Sequence, residues 1–389
     1  MTSTTEYYGF GLAERPILSG RRMANNGAHA ARWMPQAEKA FAEPFKGVTT
    51  DGTVVPGLFP IRSTGVSTKP VVDAARAYLG TLTAEQRAQG TFPVDAIEWQ
   101  KWFNISPYVF RHGLILEDLS EAQTDAALAL IRESTSPAGF ESIRNCMRLN
   151  HTIGEITGKA EEYGEWVYFL SIFGEPSETE PWGWQLDGHH VNLHCFVLGD
   201  QVVFTPAFLG SEPVVATTGK YAGVSVMQEE QDRGLRFMQS LDGALQTKAT
   251  LGLDFHGALA GAFRDNFELR YEGVRASDLS GSQQALLMDV VGVYTGRLRE
   301  GHNTIRQQEV RDHLQDTYFA WMGECQDDSV FYYRVHSPVI LIEFDHQGGV
   351  AFDNKTPSRN HIHAIVRTPN GNDYGKDLLR QHYEEAHGA

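Results

Sequence analysis

The sequence predicts an α+β protein: an antiparallel β-sheet core, a helical N-terminal layer and further helices packed on the sheet. Three observations lead there. Helical periodicity dominates from Lys69 to about residue 160, β-branched and aromatic runs gather after Glu165, and those runs follow one another in groups instead of alternating with helices. A length of 389 residues exceeds what one small core needs. We divide it into an irregular N-terminal arm over residues 1–65 and a single α+β domain over 66–389. The helical part of that domain covers 66–160 and the sheet-containing part 161–389.

The arm has several Gly and Pro, no sustained period, and one short helix near Pro35–Phe41. Thr83-Ala-Glu-Gln86 and Ser120-Glu-Ala-Gln123 have capping-box spacing, in which hydroxyl and amide side chains satisfy each other's free backbone N–H groups. The second box leads into an apolar stripe at Ala127, Leu128, Leu130 and Ile131, and another helix covers Phe140–Ile156. Trp166 to Phe173 then reads as a strand, and Trp182 to Leu198 as one long strand. Gly199-Asp200 separates it from Gln201–Phe204, a two-residue loop suited to an antiparallel hairpin. Helices are expected at 229–241, 282–299 and 303–315, strands at 329–336, 338–345 and 361–367, and a polar helix at 374–385. No internal repeat is evident.

The charge balance excludes some functions. Lys and Arg number 33 against 49 Asp and Glu, a formal charge of −16. Such a surface repels phosphate backbones and anionic lipids, so neither nucleic acid nor a membrane is expected as partner. A small-molecule substrate is expected, and a homo-oligomer is left open. No run approaches the roughly 18 apolar residues that span a bilayer. The start, Met1 to Glu6, lacks the basic and apolar segments of a secretory signal, which makes the cytoplasm the default location. Cys146, Cys195 and Cys325 are scattered, so neither a disulfide framework nor a thiolate zinc site is supported.

The chemistry-bearing signal is histidine. Seven of fifteen histidines fall in three short segments: Trp184-Gln-Leu-Asp-Gly-His-His-Val-Asn-Leu-His194, Val335 to His346, and Asn360-His-Ile-His363. Strand side chains alternate faces, so His361 and His363 point one way. His190 and His194 likewise share a face, with His189 opposite. Two same-face pairs supply three or four imidazoles to one metal, with a position left open for water or substrate. The competing readings are surface or core histidines that only hydrogen-bond, and acid/base groups without metal.

Glu343 lies inside the apolar run Val339-Ile-Leu-Ile-Glu343-Phe, where a carboxylate needs a partner or a metal. It is a candidate general base, ligand or ligand-orienting group, or else an edge residue facing water. Arg334 and Arg367 flank the same strands and could clamp a substrate carboxylate, with salt bridges as the alternative. Asp187 reads as a turn residue or a partner of a ligand. His302, His313 and His382 read as solvated helix residues. Gly-x-Ser-x-Gly, His-Glu-x-x-His, a P-loop and a dinucleotide fingerprint are absent.

Trp182-Gly-Trp-Gln-Leu-Asp-Gly-His-His190, the Gly-Asp hairpin and Phe204-Thr-Pro-Ala-Phe-Leu-Gly210 resemble the bacterial family catalogued as domain of unknown function 3500. So do Tyr333-Arg334, Ile342-Glu343-Phe-Asp345, Asn360-His-Ile-His363, Asn372-Asp-Tyr-Gly375, Leu378-Leu379 and His382-Tyr383. The resemblance spans roughly residue 65 to the end and implies that the three histidine segments form one unit. In that family Asn commonly stands where this chain has His194 and His346. The resemblance therefore shifts weight to His189 or His190 with His361, His363 and Glu343, and adds some to His382.

The expectation is a metal-dependent enzyme with His190, His194, His361 and His363 as ligands. Glu343, His189, Arg334 and Arg367 are the candidate catalytic residues. The cofactor is a divalent transition metal, zinc first and iron, copper or manganese after it. Hydrolysis of a small organic substrate leads; an iron or copper oxygenase or oxidase, and a non-catalytic binding protein, are the alternatives.

Overall fold

The computed structural model describes residues 27–387 apart from 107, 108, 161, 256, 350 and 353. Thirteen strands among these join in one sheet. The first half contributes helices α1 (Gly27–Ala42), α2 (Lys69–Thr81), α3 (Ala84–Gly90), α4 (Glu121–Ser134) and α5 (Pro137–Thr157). Its strands are β1 (Thr91–Phe92), β2 (Leu114–Ile115), β3 (Tyr168–Phe173), β4 (Trp182–Gly188), β5 (Val191–Leu198), β6 (Gln201–Val203) and β7 (Ala207–Ser211). The second half contributes α6 (Gln228–Gln239), α7 (Gly243–Ala249), α8 (Gly281–Thr295) and α9 (His302–Asp312). Its strands are β8 (Thr250–Gly252), β9 (Val274–Arg275), β10 (Tyr318–Gly323), β11 (Phe331–His336), β12 (Leu341–Gly348) and β13 (Pro357–Arg367), and α10 (Lys376–His387) closes the chain.

The arm contains a regular element: the short helix expected near Pro35 is part of the 16-residue α1, with Pro35 inside it. Ala37 of that helix packs with Phe103, Phe110 and Phe263. The predicted capping boxes at Thr83 and Ser120 are both formed. So is the antiparallel hairpin at Gly199-Asp200, where Leu198 pairs with Gln201.

The sheet corrects the antiparallel expectation, because it is mixed. β1 runs parallel to β3, and β8 parallel to β10. Each of these short strands leaves a helix and reaches its partner through a long crossover that includes two further helices, which is the connection parallel pairing requires. The remaining pairings are antiparallel.

The strand order is a palindrome. β1-β3-β4-β5-β7 meets β13-β12-β11-β10-β8, with β2 on β3 and β9 on β10 at matching places. Registers repeat as well: Phe173 faces Gly183, which faces Phe196, and Met322 faces Tyr332, which faces Asp345, each at one constant step along the chain. At the join, β7 and β13 pair with each other, Ala207 opposite Val366. The chain is thus a structural repeat, contrary to the reading of the sequence.

With the registers known, a signature shows in the residues. Gly113-Leu-Ile-Leu-Glu-Asp118-Leu-Ser120-Glu-Ala-Gln123 and Gly273-Val-Arg-Ala-Ser-Asp278-Leu-Ser280-Gly-Ser-Gln283 share Gly, Asp, Leu, Ser and Gln at equal spacing. Both begin with Gly at positive φ (90° and 93°), and a Cβ on either would meet a strand carbonyl, of Leu170 or of Phe319. Both then form a two-residue strand and a capping box that starts a core helix.

The two sheet faces differ. One packs Leu170, Trp184, Leu209, Phe344 and Ile362 against apolar residues of α2, α4, α5, α6 and α8. The other is unusually polar and is covered by the loops after β1 and β8, which touch each other through the rings of Phe103 and Phe263, 4.8 Å apart. Each loop occupies the equivalent place in its own repeat.

Candidate metal centre

Trp182 to Leu198 is a hairpin rather than one long strand. Gly188 pairs with Val191, leaving His189 and His190 as the turn between β4 and β5. His190 takes φ 73°, a conformation costly for a side chain with a Cβ. Two backbone bonds hold it there: its N–H donates to the Asn104 carbonyl (3.2 Å), and its carbonyl accepts from Gly210 N–H (2.9 Å). Strand alternation therefore does not apply at His190, and its direction is set by the turn.

That turn brings His190 to His361 and His363, alternate residues on β13. His363 Nε2 lies 3.0 Å from both His361 Nε2 and His190 Nε2, and His361 Nε2 lies 3.3 Å from His190 Nε2. All three side chains are buried.

Three hydrogen bonds cannot account for this triangle. His361 Nδ1 lies 2.8 Å from the Gly348 carbonyl, so Nδ1 carries a proton, and in the neutral ring Nε2 is then the atom free to bind a metal. Burial first, then the neighbouring imidazoles, holds His363 well below its ordinary value, so it is neutral. With the His190 and His363 protons on Nδ1 as well, the three Nε2 lone pairs would converge on one point, the arrangement that holds a cation. Tetrahedral zinc with bonds of about 2.0–2.1 Å needs nitrogens about 3.3 Å apart, close to the distances found. The three residues are the one group among the described residues with metal-ligand spacing.

The surroundings fix the rings. A Cβ on Gly210 would lie 2.8 Å from His363 Cδ2 and 3.4 Å from His190 Cδ2, so the missing side chain makes room for both. Phe208 packs its ring 5.0 Å from that of His363. His189 stacks on His190 with centroids 3.9 Å apart, and its Nδ1 lies 2.7 Å from Asn150 Oδ1. Because Asn150 Nδ2 donates to the Gly164 carbonyl, its Oδ1 faces His189, whose Nδ1 must carry the proton. Glu212 Oε2 comes within 3.7 Å of His361 Nδ1 while accepting from Ala351 N–H at 3.0 Å.

A family model described as a protein of unknown function (DUF3500) matches residues 64–376, which include the whole trio and both repeats. The chain belongs to the DUF3500 family. No curated protein and no solved structure matches it. The histidine segments that carried the resemblance are thus parts of one family unit, and in this member the structure joins two of them.

The other singled-out residues lie elsewhere in the family unit. His194 is not in the trio: its Nδ1 bonds the Pro206 carbonyl (2.7 Å) and its Nε2 contacts Gln185 Nε2 (3.0 Å). Burial pushes it down to about 3, so it is neutral. Glu343 accepts from Leu259 N–H (2.8 Å), Ala260 N–H (2.7 Å) and Tyr332 O–H (2.7 Å). Arg367 donates to Asp265, Asp373 and the carbonyls of Ala260 and Gly261, tying the second loop to the sheet. Arg334 is buried and pairs with Glu272 at 2.8 Å. Asp187 accepts from Asn192, one strand away, and burial raises it to about 8. His346 bonds Phe331 N–H and Gln231. His302 is buried, contrary to the solvated reading, whereas His382 is partly exposed beside Glu180.

Asn150 and Glu212 were not singled out from the sequence, and Gly210 entered only as the end of the 204–210 segment that carried the family resemblance. Asn150 comes from α5, Gly210 from β7, and Glu212 from the residue just beyond β7.

Proposed function

We propose that His190, His361 and His363 hold a divalent transition metal, zinc in the first place, in a metal-dependent hydrolase of a small organic substrate. The observation that carries this is the triangle of Nε2 atoms at 3.0–3.3 Å. Three neutral protein ligands suit zinc and leave a fourth position for water or substrate. When bound, the metal would acidify that water and polarise the scissile group.

The chain's own residues complete the site. Gly348 and Glu212 orient His361, and Gly210 gives His190 and His363 their space. His189, held by Asn150 as the Nδ1–H tautomer and stacked on a ligand, takes the proton-moving role first considered for Glu343, whose carboxylate already binds two backbone N–H groups.

The test is hydrolysis of a panel of activated esters, amides and phosphate esters by purified protein. Activity should disappear on chelation and return with zinc. A fully zinc-loaded protein inactive on every class would overturn hydrolysis, as would bound iron or copper coupled to oxygen consumption.

A further inference from the structure

A cavity of ≈ 140 Å³ lies on the apolar face of the sheet, the face opposite the histidine trio. Leu193, Ala207, Leu209 and Val366 form its floor, and Tyr294, Leu298 and Ile305 line its helical side. Ala207 and Val366 are the residues that pair where the two repeats join, so the cavity sits over the seam. Protein interiors are close-packed, and a void weakens a fold in proportion to its volume. An apolar void of about 150 Å³ accommodates a benzene ring.

The arginines around it are already matched, and the acidic lining residue Asp312 is exposed and accepts from Gln308 Nε2 (2.7 Å). Arg306 donates to Glu309 (3.0 Å), the Val339 carbonyl (2.7 Å) and Thr368 Oγ1 (3.2 Å). Arg62 pairs with the same Glu309, and Arg297 with Glu230. An anionic ligand would have to break one of these pairs, and a cationic one would lose its hydration over an apolar floor. Two further wall residues are less well served: Thr295 Oγ1 and His302 Nε2 are buried without a hydrogen-bond partner among the described residues. Burial, ahead of the Arg299 charge, pushes His302 down to about 4, so its imidazole is uncharged as well.

We propose that this cavity binds a small uncharged organic molecule about one ring in size, its body on the Leu193–Ala207–Val366 floor and its hydroxyl or carbonyl toward Thr295 and His302. This site is separate from the metal centre and stands whether or not the trio binds metal.

Fluorine NMR of para-fluorobenzyl alcohol with the full-length protein tests it, with para-fluorobenzoate and para-fluorobenzylamine as charged counterparts. The alcohol should bind, and the two ions should bind at least tenfold more weakly. Ala207→Leu fills the floor, and His302→Phe keeps the wall's shape without its nitrogen. Either should weaken the alcohol at least tenfold while metal content stays unchanged. If Ala207→Leu does not fold, His302→Phe decides. Absence of alcohol binding, undiminished binding by a folded variant, or preference for either ion would overturn the proposal.

Discussion

His194 and Glu343 occupy the same position in the two repeats of one sheet. His194 on β5 faces Gln185 on β4, and Glu343 on β12 faces Arg334 on β11, at the same register. Each also meets the loop that covers its half: His194 lies against the backbone of Trp99, and Glu343 accepts the N–H groups of Leu259 and Ala260. A buried polar side chain at this position anchors a covering loop. That explains both conspicuous residues without assigning either to the metal.

Replacing Glu343 by Ala leaves the buried Ala260 N–H, the Leu259 N–H and the Tyr332 hydroxyl without their acceptor. Each orphaned group costs about 1–3 kcal/mol, so urea unfolding should show a loss of several kcal/mol. Metal content of the folded fraction should be unchanged, and the same pattern is expected for His194→Ala. Loss of metal with undiminished stability would make these residues ligands after all.

Gly210→Ala tests the space between the histidines of the proposed metal centre. The added Cβ would stand 2.8 Å from both His363 Cδ2 and the Ile362 carbonyl. Overpacking of this kind costs about 1–3 kcal/mol, and the displaced rings should weaken metal binding at least tenfold. Unchanged affinity in a competition titration with a zinc chelator would contradict the geometry.

The repeat can be probed through its caps. Ser120 and Ser280 close the same box at the start of equivalent helices. Ser120→Ala and Ser280→Ala should each cost about 1 kcal/mol, additively in the double variant because the sites are independent. A negligible loss at one cap and a large one at the other would contradict their equivalence.

Stability should peak slightly on the acid side of neutral. Burial holds His194, His336 and His346 down at about 3 and His302 at about 4. Unfolded histidine takes up its proton near about 6.5, so the stability these neutral rings contribute is present above that pH and lost as pH falls toward 3. Asp187, raised to about 8, and Asp345, raised well above its ordinary value, act oppositely. They keep protons that the unfolded chain has lost, so the Asp187 contribution declines as pH rises from about 4 through 8, and that of Asp345 declines from about 4 upward. Each group changes stability by about 1.4 kcal/mol per pH unit within its window. Urea midpoints measured across this range should fall on both sides, and Asp187→Asn should flatten the alkaline limb. Stability rising steadily from pH 6.5 to 8 would be inconsistent with these burials.

Much of the fold was legible because periodicity and caps are local. The helices at Ser120 and Ser280, the Gly199-Asp200 hairpin and strands β11 to β13 follow from neighbouring residues alone. The repeat escaped because its halves share mostly burial pattern, with few identities outside the Gly–Asp-Leu-Ser–Gln signature. In the site, His361 and His363 were legible from strand alternation. His190 was named correctly as a member of the cluster, but through a face argument that its turn conformation does not obey. His194 looked equivalent because alternation ranks residues by face without saying how far apart they lie. Asn150 and Glu212 act through tertiary contact and no local pattern marks them, while Gly210 lay in a family segment whose role the sequence does not reveal.

The most direct measurement is the metal content of purified protein by elemental analysis, beside a His361→Ala/His363→Ala variant. We expect one transition-metal ion per chain, zinc foremost, in the wild type and none in the variant, which should remain folded by circular dichroism. A wild-type protein without stoichiometric metal after reconstitution, or a folded variant that keeps its full complement, would contradict the three-histidine centre.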